Sequence, residues 1–211
     1  MDVMRDANQR ENAGEDVLHL EVGQPSTAAP AGVIRAAQRV LATDRLGYTD
    51  ALGIPSLRRR IAQYYRDIHG LNLNEERVVV TTGSSGGFML AFLSAFDAGD
   101  RVALVSPGYP AYQNILAALD IEVVTISATV EDRYQPTLAS LKGIEGQIDG
   151  LIVASPANPT GTMLSAQEMR SIALYCDQHG IRLISDEIYH GITYTMTGTS
   201  ALSFTDNAFV V

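Results

Sequence analysis

The sequence predicts an α/β chain built on a doubly wound, mostly parallel sheet, and three observations carry that expectation. Short apolar runs recur at Val78–Thr82, Val102–Val105, Glu122–Ile126, Leu151–Ala154, Arg182–Ser185 and Ala208–Val211. These runs are near-continuous rather than alternating, as strands covered on both faces require. Helical patterns separate them, and strand–helix alternation of this kind places helices on both faces of a parallel sheet.

Two of those helices can be read closely. Gly86–Phe96 is apolar nearly all round, which predicts a buried helix. Ala166–His179 opens with Ser165 and Glu168 in capping-box spacing and stops before Gly180. The residues before Gly70 behave differently. Val33, Ala36, Ala37, Val40 and Leu41 share one helical face; Leu57, Ile61, Tyr64, Tyr65 and Ile68 share another, in a helix that Pro55 can begin. These helices have no strands of their own to cover, so they are expected to dock on the sheet or to lead into a second, smaller domain. There are no internal repeats and no low-complexity linker.

Composition narrows the functional classes. The chain has 211 residues, 46% of them hydrophobic and 18% charged, which supports a packed core. A formal charge of -9 argues against nucleic acid or an anionic membrane surface as the main partner. The short run Arg58, Arg59 and Arg60 reads as a solvated helix face. Cys176 is the only cysteine, so no internal disulfide can form, in keeping with a reducing compartment. No signal peptide and no bilayer-length apolar run is present, and a soluble, cytoplasmic protein is expected.

Open α/β sheets bind ligands beyond the carboxyl ends of their strands, so the segments that follow each strand carry the chemistry. They are Gly83-Ser84-Ser85-Gly86-Gly87, Ser106-Pro107-Gly108-Tyr109-Pro110, Ser155-Pro156-Ala157-Asn158-Pro159-Thr160-Gly161 and Asp186-Glu187-Ile188-Tyr189-His190. One edge of the sheet thus collects hydroxyls, an aromatic ring, an amide, a carboxylate and a phenol. The glycine–serine turn before a helix offers free N–H groups and a positive dipole end, an arrangement suited to phosphate. It is not a Walker A loop, because no Gly-Lys-Ser/Thr follows.

The same turn also fits Gly-x-Ser-x-Gly, the nucleophile elbow of α/β-hydrolases, with Ser85 as nucleophile and Asp186 and His190 following in hydrolase order. Against that reading, a hydrolase brings its acid and histidine from different loops. Here they share one short segment, and no His-Gly-Gly-Gly oxyanion segment is present. Asn158-Pro159-Thr160 is no glycosylation sequon, since proline holds the middle position. His19, His69, His179 and His190 lack metal-ligand spacing and read as ordinary surface or core histidines; Tyr109 alone would be a packing residue.

Taken together and in this order, the segments resemble the class I/II aminotransferases of pyridoxal-phosphate (PLP) fold type I. The resemblance begins at Leu20-Glu21-Val22-Gly23-Gln24-Pro25 and runs through Gly47-Tyr48-Thr49-Asp50, Gly53 and Leu57-Arg58 into the strand-end segments. Asn-Pro-Thr-Gly at Asn158 and Asp-Glu-Ile-Tyr at Asp186 are its most specific parts. It implies that residues 1–45 form an N-terminal segment and helix of a small domain or dimer contact. Residues 46–211 would then form the PLP-binding large domain.

The resemblance also implies roles. Ser84 through its backbone and Ser85 through its hydroxyl would hold the cofactor phosphate, and Tyr109 would stack on the pyridine ring. Asn158 and Tyr189 would hydrogen-bond the ring's phenolic oxygen. Asp186 would pair with the pyridine nitrogen and keep it protonated, so that the ring accepts electrons. Gly23 would approach the substrate carboxylate through its backbone, and Tyr48 would reach the phosphate of a neighbouring subunit in a homodimer. The substrates would be an amino acid and a 2-keto acid.

One departure is large. The family's Schiff-base lysine follows the strand that here is Ala208–Val211, and the chain stops at Val211, so no catalytic lysine is expected within it. Its single lysine, Lys142, lies between strand patterns and reads as a solvated side chain. The chain is therefore expected to be part of a longer aminotransferase and inactive by itself. A β-lyase or racemase of the same fold, a noncatalytic PLP-fold module and the Ser85 hydrolase remain as alternatives.

Overall fold

The computed structural model describes residues 2–211 and divides into two compact units, one ending at Tyr48 and the other spanning Thr49–Val211. The first unit carries helices α1 (Asp2–Asn12) and α2 (Ala31–Thr43), neither of which buries a residue. Of the apolar face read on α2, Val33, Val40 and Leu41 are exposed.

The second unit holds α3 (Pro55–His69), a 3-10 turn at Glu75–Arg77, α4 (Ser84–Ala95), β1 (Arg101–Ser106), α5 (Pro110–Ala118), β2 (Glu122–Ser127), α6 (Leu138–Lys142), β3 (Gly150–Ala154), α7 (Ala166–His179), β4 (Arg182–Asp186) and β5 (Ala208–Val210). The five strands form one sheet in the order β2-β1-β3-β4-β5, and every pair is parallel. The chain first moves outward from β1 to β2, then returns to the other side of β1 at β3. The point where that order reverses lies between β1 and β3, where such sheets leave a crevice at their carboxyl ends.

Strand side chains alternate between two cores. Val102, Leu104, Ile152 and Ile184 point to one face, where Phe88, Ala91 and Phe92 of α4 and Tyr112 and Leu116 of α5 cover them. Ala103, Leu151, Val153 and Leu183 point to the other, against Met169, Ile172, Ala173 and Cys176 of α7 and Leu141 of α6. Two buried faces explain the absence of polar alternation along β1, β3 and β4. The α7 ends match the sequence: Ser165 and Glu168 form a reciprocal capping box, and Gly180 closes the helix at φ 68°.

Three expectations are corrected. Val78–Thr82 is not a strand: it finds no ladder partner among the described residues, it bends at Thr82, and its backbone link to another segment is the Val80 N–H donated to the Leu52 carbonyl at 3.0 Å. Composition can favour an extended chain, but a strand needs a neighbour. Helix α4 is not buried all round: Phe88, Ala91 and Phe92 face the core, while Met89, Leu90 and Leu93 are exposed. The arginine run is not uniformly solvated either. Arg58 turns inward, donating to the Val78 carbonyl at 2.8 Å and the Glu75 carbonyl at 2.9 Å, whereas Arg59 and Arg60 stay exposed. The first of these pins the extended segment that leads into α4.

Candidate active site

At the carboxyl ends of β1 and β3, a crevice is lined by Tyr109, Tyr112, Tyr134, Gln135, Ala157 and Asn158. Two of the residues singled out from the sequence, Tyr109 and Asn158, therefore meet at the reversal of strand order. Tyr109 packs edge-on against Tyr112, with ring centroids 5.4 Å apart and planes at 82°. That leaves the Tyr109 ring half-buried at the crevice wall.

Asp186 ends β4 and is buried. Its Oδ2 accepts a hydrogen bond from the Tyr112 phenol, and its Oδ1 accepts the Ile188 N–H at 3.1 Å. Burial pushes the carboxyl above the ordinary aspartate range; the Tyr112 phenol, the Ile188 N–H and nearby His190 pull the other way without prevailing. Burial and the neighbouring carboxylate likewise push the Tyr112 phenol far up, so it stays a donor. A cationic N–H placed beside such a carboxylate would offset the cost of burying its charge.

The Asn158 turn is braced from three sides. Gln135, itself buried, donates its amide to the Ala154 carbonyl at 3.1 Å and to the Thr162 carbonyl at 2.9 Å. Arg133 donates to the Met163 carbonyl at 3.1 Å and pairs with Glu168 of the α7 cap. Within the turn, the Ala157 N–H meets the Thr162 carbonyl at 2.9 Å, and the Ser155 hydroxyl accepts the Leu164 N–H at 2.9 Å. The sequence segment reads only as a turn; the structure makes it a rigid platform for the Asn158 amide.

Ser84 and Ser85 open α4 behind Gly83, which holds φ 85°. At this helix start the N–H groups of Ser84, Ser85 and Gly86 precede the first intrahelical bond, from Gly87 to Gly83 at 3.2 Å. Ser85 is exposed there, and a side chain added at Gly87 would press on Val211. Tyr189 follows β4 half-buried. Gly23 and Tyr48 belong to the first unit, where both are exposed. Lys142 is exposed at the end of α6, on the connection that enters the amino end of β3.

The hydrolase alternative fails on geometry. His190 Nε2 is engaged with the Ser155 carbonyl at 3.0 Å, its Nδ1 faces Glu187, and Asp186 is taken by Tyr112. No hydrogen bond among the described residues joins Ser85 to His190. No group of three or more His, Cys, Asp or Glu among them could hold a metal ion, and no helix is long and apolar enough to cross a membrane.

Tyr112, Gln135 and Glu187 were not singled out from the sequence. Tyr112 carried a weak signal, as the second tyrosine one helical turn beyond Tyr109; Gln135 carried none.

Comparison with known proteins gives a consistent result. The family model described as "Aminotransferase class I and II" matches residues 15–210. The valine–pyruvate aminotransferase of Mycobacterium tuberculosis is 52% identical over 194 residues, covering 92% of this chain and 50% of that protein. The aspartate aminotransferase of Thermotoga maritima is 32% identical over 196 residues, covering 92% and 52%. Among solved structures, an aminotransferase from M. tuberculosis superposes with a TM-score of 0.94 at 50% identity, covering 100% of this chain and 55% of that one. Thermus thermophilus aspartate aminotransferase with maleate superposes at 0.92 and 29% identity, covering 98% and 55%. The chain thus spans about half the length of the curated relatives it matches. With a family model over nearly its whole length and the strand-end platform in place, the chain belongs to the class I and II aminotransferases.

Proposed function

We propose that the protein acts as a PLP-dependent aminotransferase, moving an amino group between an amino acid and a 2-keto acid. The observation that carries this is Asp186: a buried carboxylate at a strand end, held above its ordinary range, beside the crevice that Tyr109 and Asn158 line. A protonated pyridine nitrogen is the partner such a group fits, because ionising Asp186 against it relieves the cost of burial. The donor set fits the rest of PLP: a helix start with free N–H groups and the Ser85 hydroxyl for phosphate, an aromatic face for the ring, and an amide with a phenol for its oxygen.

When bound, the cofactor supplies an electron sink for the carbanion formed at the substrate Cα. Ser84 and Ser85 anchor the phosphate, and Tyr109 covers one face of the ring. Asn158 and Tyr189 donate to the ring oxygen. Asp186 holds a proton on the ring nitrogen, and Tyr112 fixes the carboxylate's orientation for that purpose. Gly23 is assigned to the substrate carboxylate and Tyr48 to the phosphate site of a second subunit, in a cytoplasmic homodimer of amino-acid metabolism.

For substrates, the 52% identity to a protein named valine–pyruvate aminotransferase supports valine and pyruvate as the first pair. The test is alanine formation from valine and pyruvate by the full-length protein with added PLP. Aspartate with 2-oxoglutarate is the second pair, chosen because more distant relatives carry aspartate in their names. Turnover of either pair that requires PLP supports the reading; no amino transfer with any common pair overturns it.

A further inference from the structure

Directly after Asp186 stands a second buried carboxylate that the proposed chemistry leaves unused. The Glu187 side chain is only 4% exposed, and its Oε2 has no hydrogen-bond partner. Its Oε1 already accepts twice, from the Ser185 hydroxyl at 2.9 Å and the Ala201 N–H at 2.8 Å. Oε2 instead faces His190 Nδ1 at 3.5 Å. The other ring nitrogen, Nε2, lies 3.0 Å from the Ser155 carbonyl, which can only accept, so Nε2 carries hydrogen. Between Nδ1 and Oε2 there must then be one proton, because two buried lone pairs facing each other would both be left unsatisfied.

We propose that this proton resides on Glu187, which acts as a neutral carboxylic acid donating from Oε2 to His190 Nδ1 and so fixes the tautomer that ties the β4 end to the β3 end. The consequence is positional. His190 reaches from the Tyr189 segment to Ser155, at the start of the Asn158 turn, so the pair holds together the two loops that carry the assigned ring-oxygen donors. That consequence rests on the PLP reading; the protonation state does not.

The surroundings favour the neutral pair over an imidazolium–carboxylate pair. Burial pushes Glu187 above the ordinary glutamate range, against the donors Ala201, Ser200 and Ser185 and the nearby His69. Burial pushes His190 below the ordinary histidine range, against the Ser155 carbonyl and Asp186. His69 and Tyr65 of α3 also face the pair. The His69 ring is 5.6 Å from that of His190, and burial pushes it below the ordinary histidine range. Burial and Glu187 push the Tyr65 phenol up to about 12, so it brings no charge at neutral pH. The Ser200 hydroxyl oxygen accepts the Leu202 N–H at 3.3 Å, and Oε2 itself has no hydrogen-bond partner. Gly198 backs the His190 ring so closely that a Cβ there would collide with it, which keeps the ring from swinging away.

Glu187→Gln separates the two states. A glutamine can accept at Oε1 and donate from Nε2, matching every partner of the neutral acid, but it cannot replace a carboxylate beside an imidazolium. In the full-length protein at neutral pH, the infrared difference between wild type and E187Q is expected to contain a carboxylic-acid carbonyl band. Nitrogen NMR of labelled histidine is expected to show His190 as the neutral Nε2–H tautomer, assigned by its loss in His190→Asn. PLP affinity of E187Q is expected to stay within about twofold of wild type, while Glu187→Ala loses roughly tenfold. Carboxylate bands in the difference spectrum, or an imidazolium at His190, would overturn the proposal even if PLP binds. If PLP does not bind at all, the spectra still decide the protonation state.

Discussion

The phenol of Tyr112 donates a hydrogen bond to the Oδ2 of Asp186 across 74 positions of sequence, joining helix α5 to the carboxyl end of β4. This bond sets one lone pair of the carboxylate and, with the Ile188 N–H on Oδ1, holds the group beside the strand-end crevice that Tyr112 lines. Tyr112→Phe removes the donor without opening a cavity. The cofactor-free protein is expected to lose about 1–3 kcal/mol in urea denaturation, the cost of a buried acceptor left unmet. With PLP added the loss is expected to shrink, because the ring nitrogen supplies a new partner.

Asp186 also makes stability depend on pH. Its folded-state carboxyl titrates above its unfolded value, so its contribution is fully present below the unfolded value and is lost as pH rises through the folded one. Without cofactor, wild type is therefore expected to lose stability relative to Asp186→Asn as pH is raised from about 4 towards 8, the unfolded group titrating near 3.9. Chemical denaturation of both proteins across that range checks the sign. A difference that grows in favour of wild type would contradict it.

Gln135 braces the Asn158 turn from a loop that the chain enters through two left-handed residues, Arg133 and Tyr134, each at φ 55°. Gln135→Leu keeps the volume but removes the donor to the Ala154 carbonyl and leaves the Thr162 carbonyl with the Ala157 N–H alone. A stability loss of about 1–3 kcal/mol is expected. Amide exchange over the Asn158 turn is expected to quicken with it, more than in α7.

Packing at the opposite end of the sheet gives a control remote from the site. Gly150 opens β3 directly against the Phe96 ring, and an added Cβ would collide with that ring. Gly150→Ala is expected to lower stability by about 1–3 kcal/mol through overpacking. Its PLP affinity, corrected for the folded fraction, should be unchanged.

How much of this was legible in the sequence depends on the range of the interaction concerned. Strands β1, β3 and β4 could be read because each apolar run reports its own two-sided burial, and the α7 ends because capping is local; β2 and β5 are edge strands, and their apolar runs still sufficed. Val78–Thr82 shared the strand composition but lacked a neighbour, which composition does not encode. Helix α4 was apolar all round, yet only Phe88, Ala91 and Phe92 meet the sheet. At the site, Tyr109, Asn158 and Asp186 were found because each lies at or just beyond the carboxyl end of a strand. Tyr112 and Gln135 were missed because their meaning lies in partners 74, 19 and 27 positions away.

The most direct test of the central claim is a PLP titration of the full-length protein, read by equilibrium dialysis. Saturable binding is expected, weakened about 5- to 10-fold in Ser85→Ala by loss of one charge-assisted hydrogen bond to phosphate. Inorganic phosphate should compete, and Asp186→Asn should weaken binding by a larger factor. No saturable binding, or binding indifferent to both substitutions, would contradict the assignment of this strand-end platform to PLP.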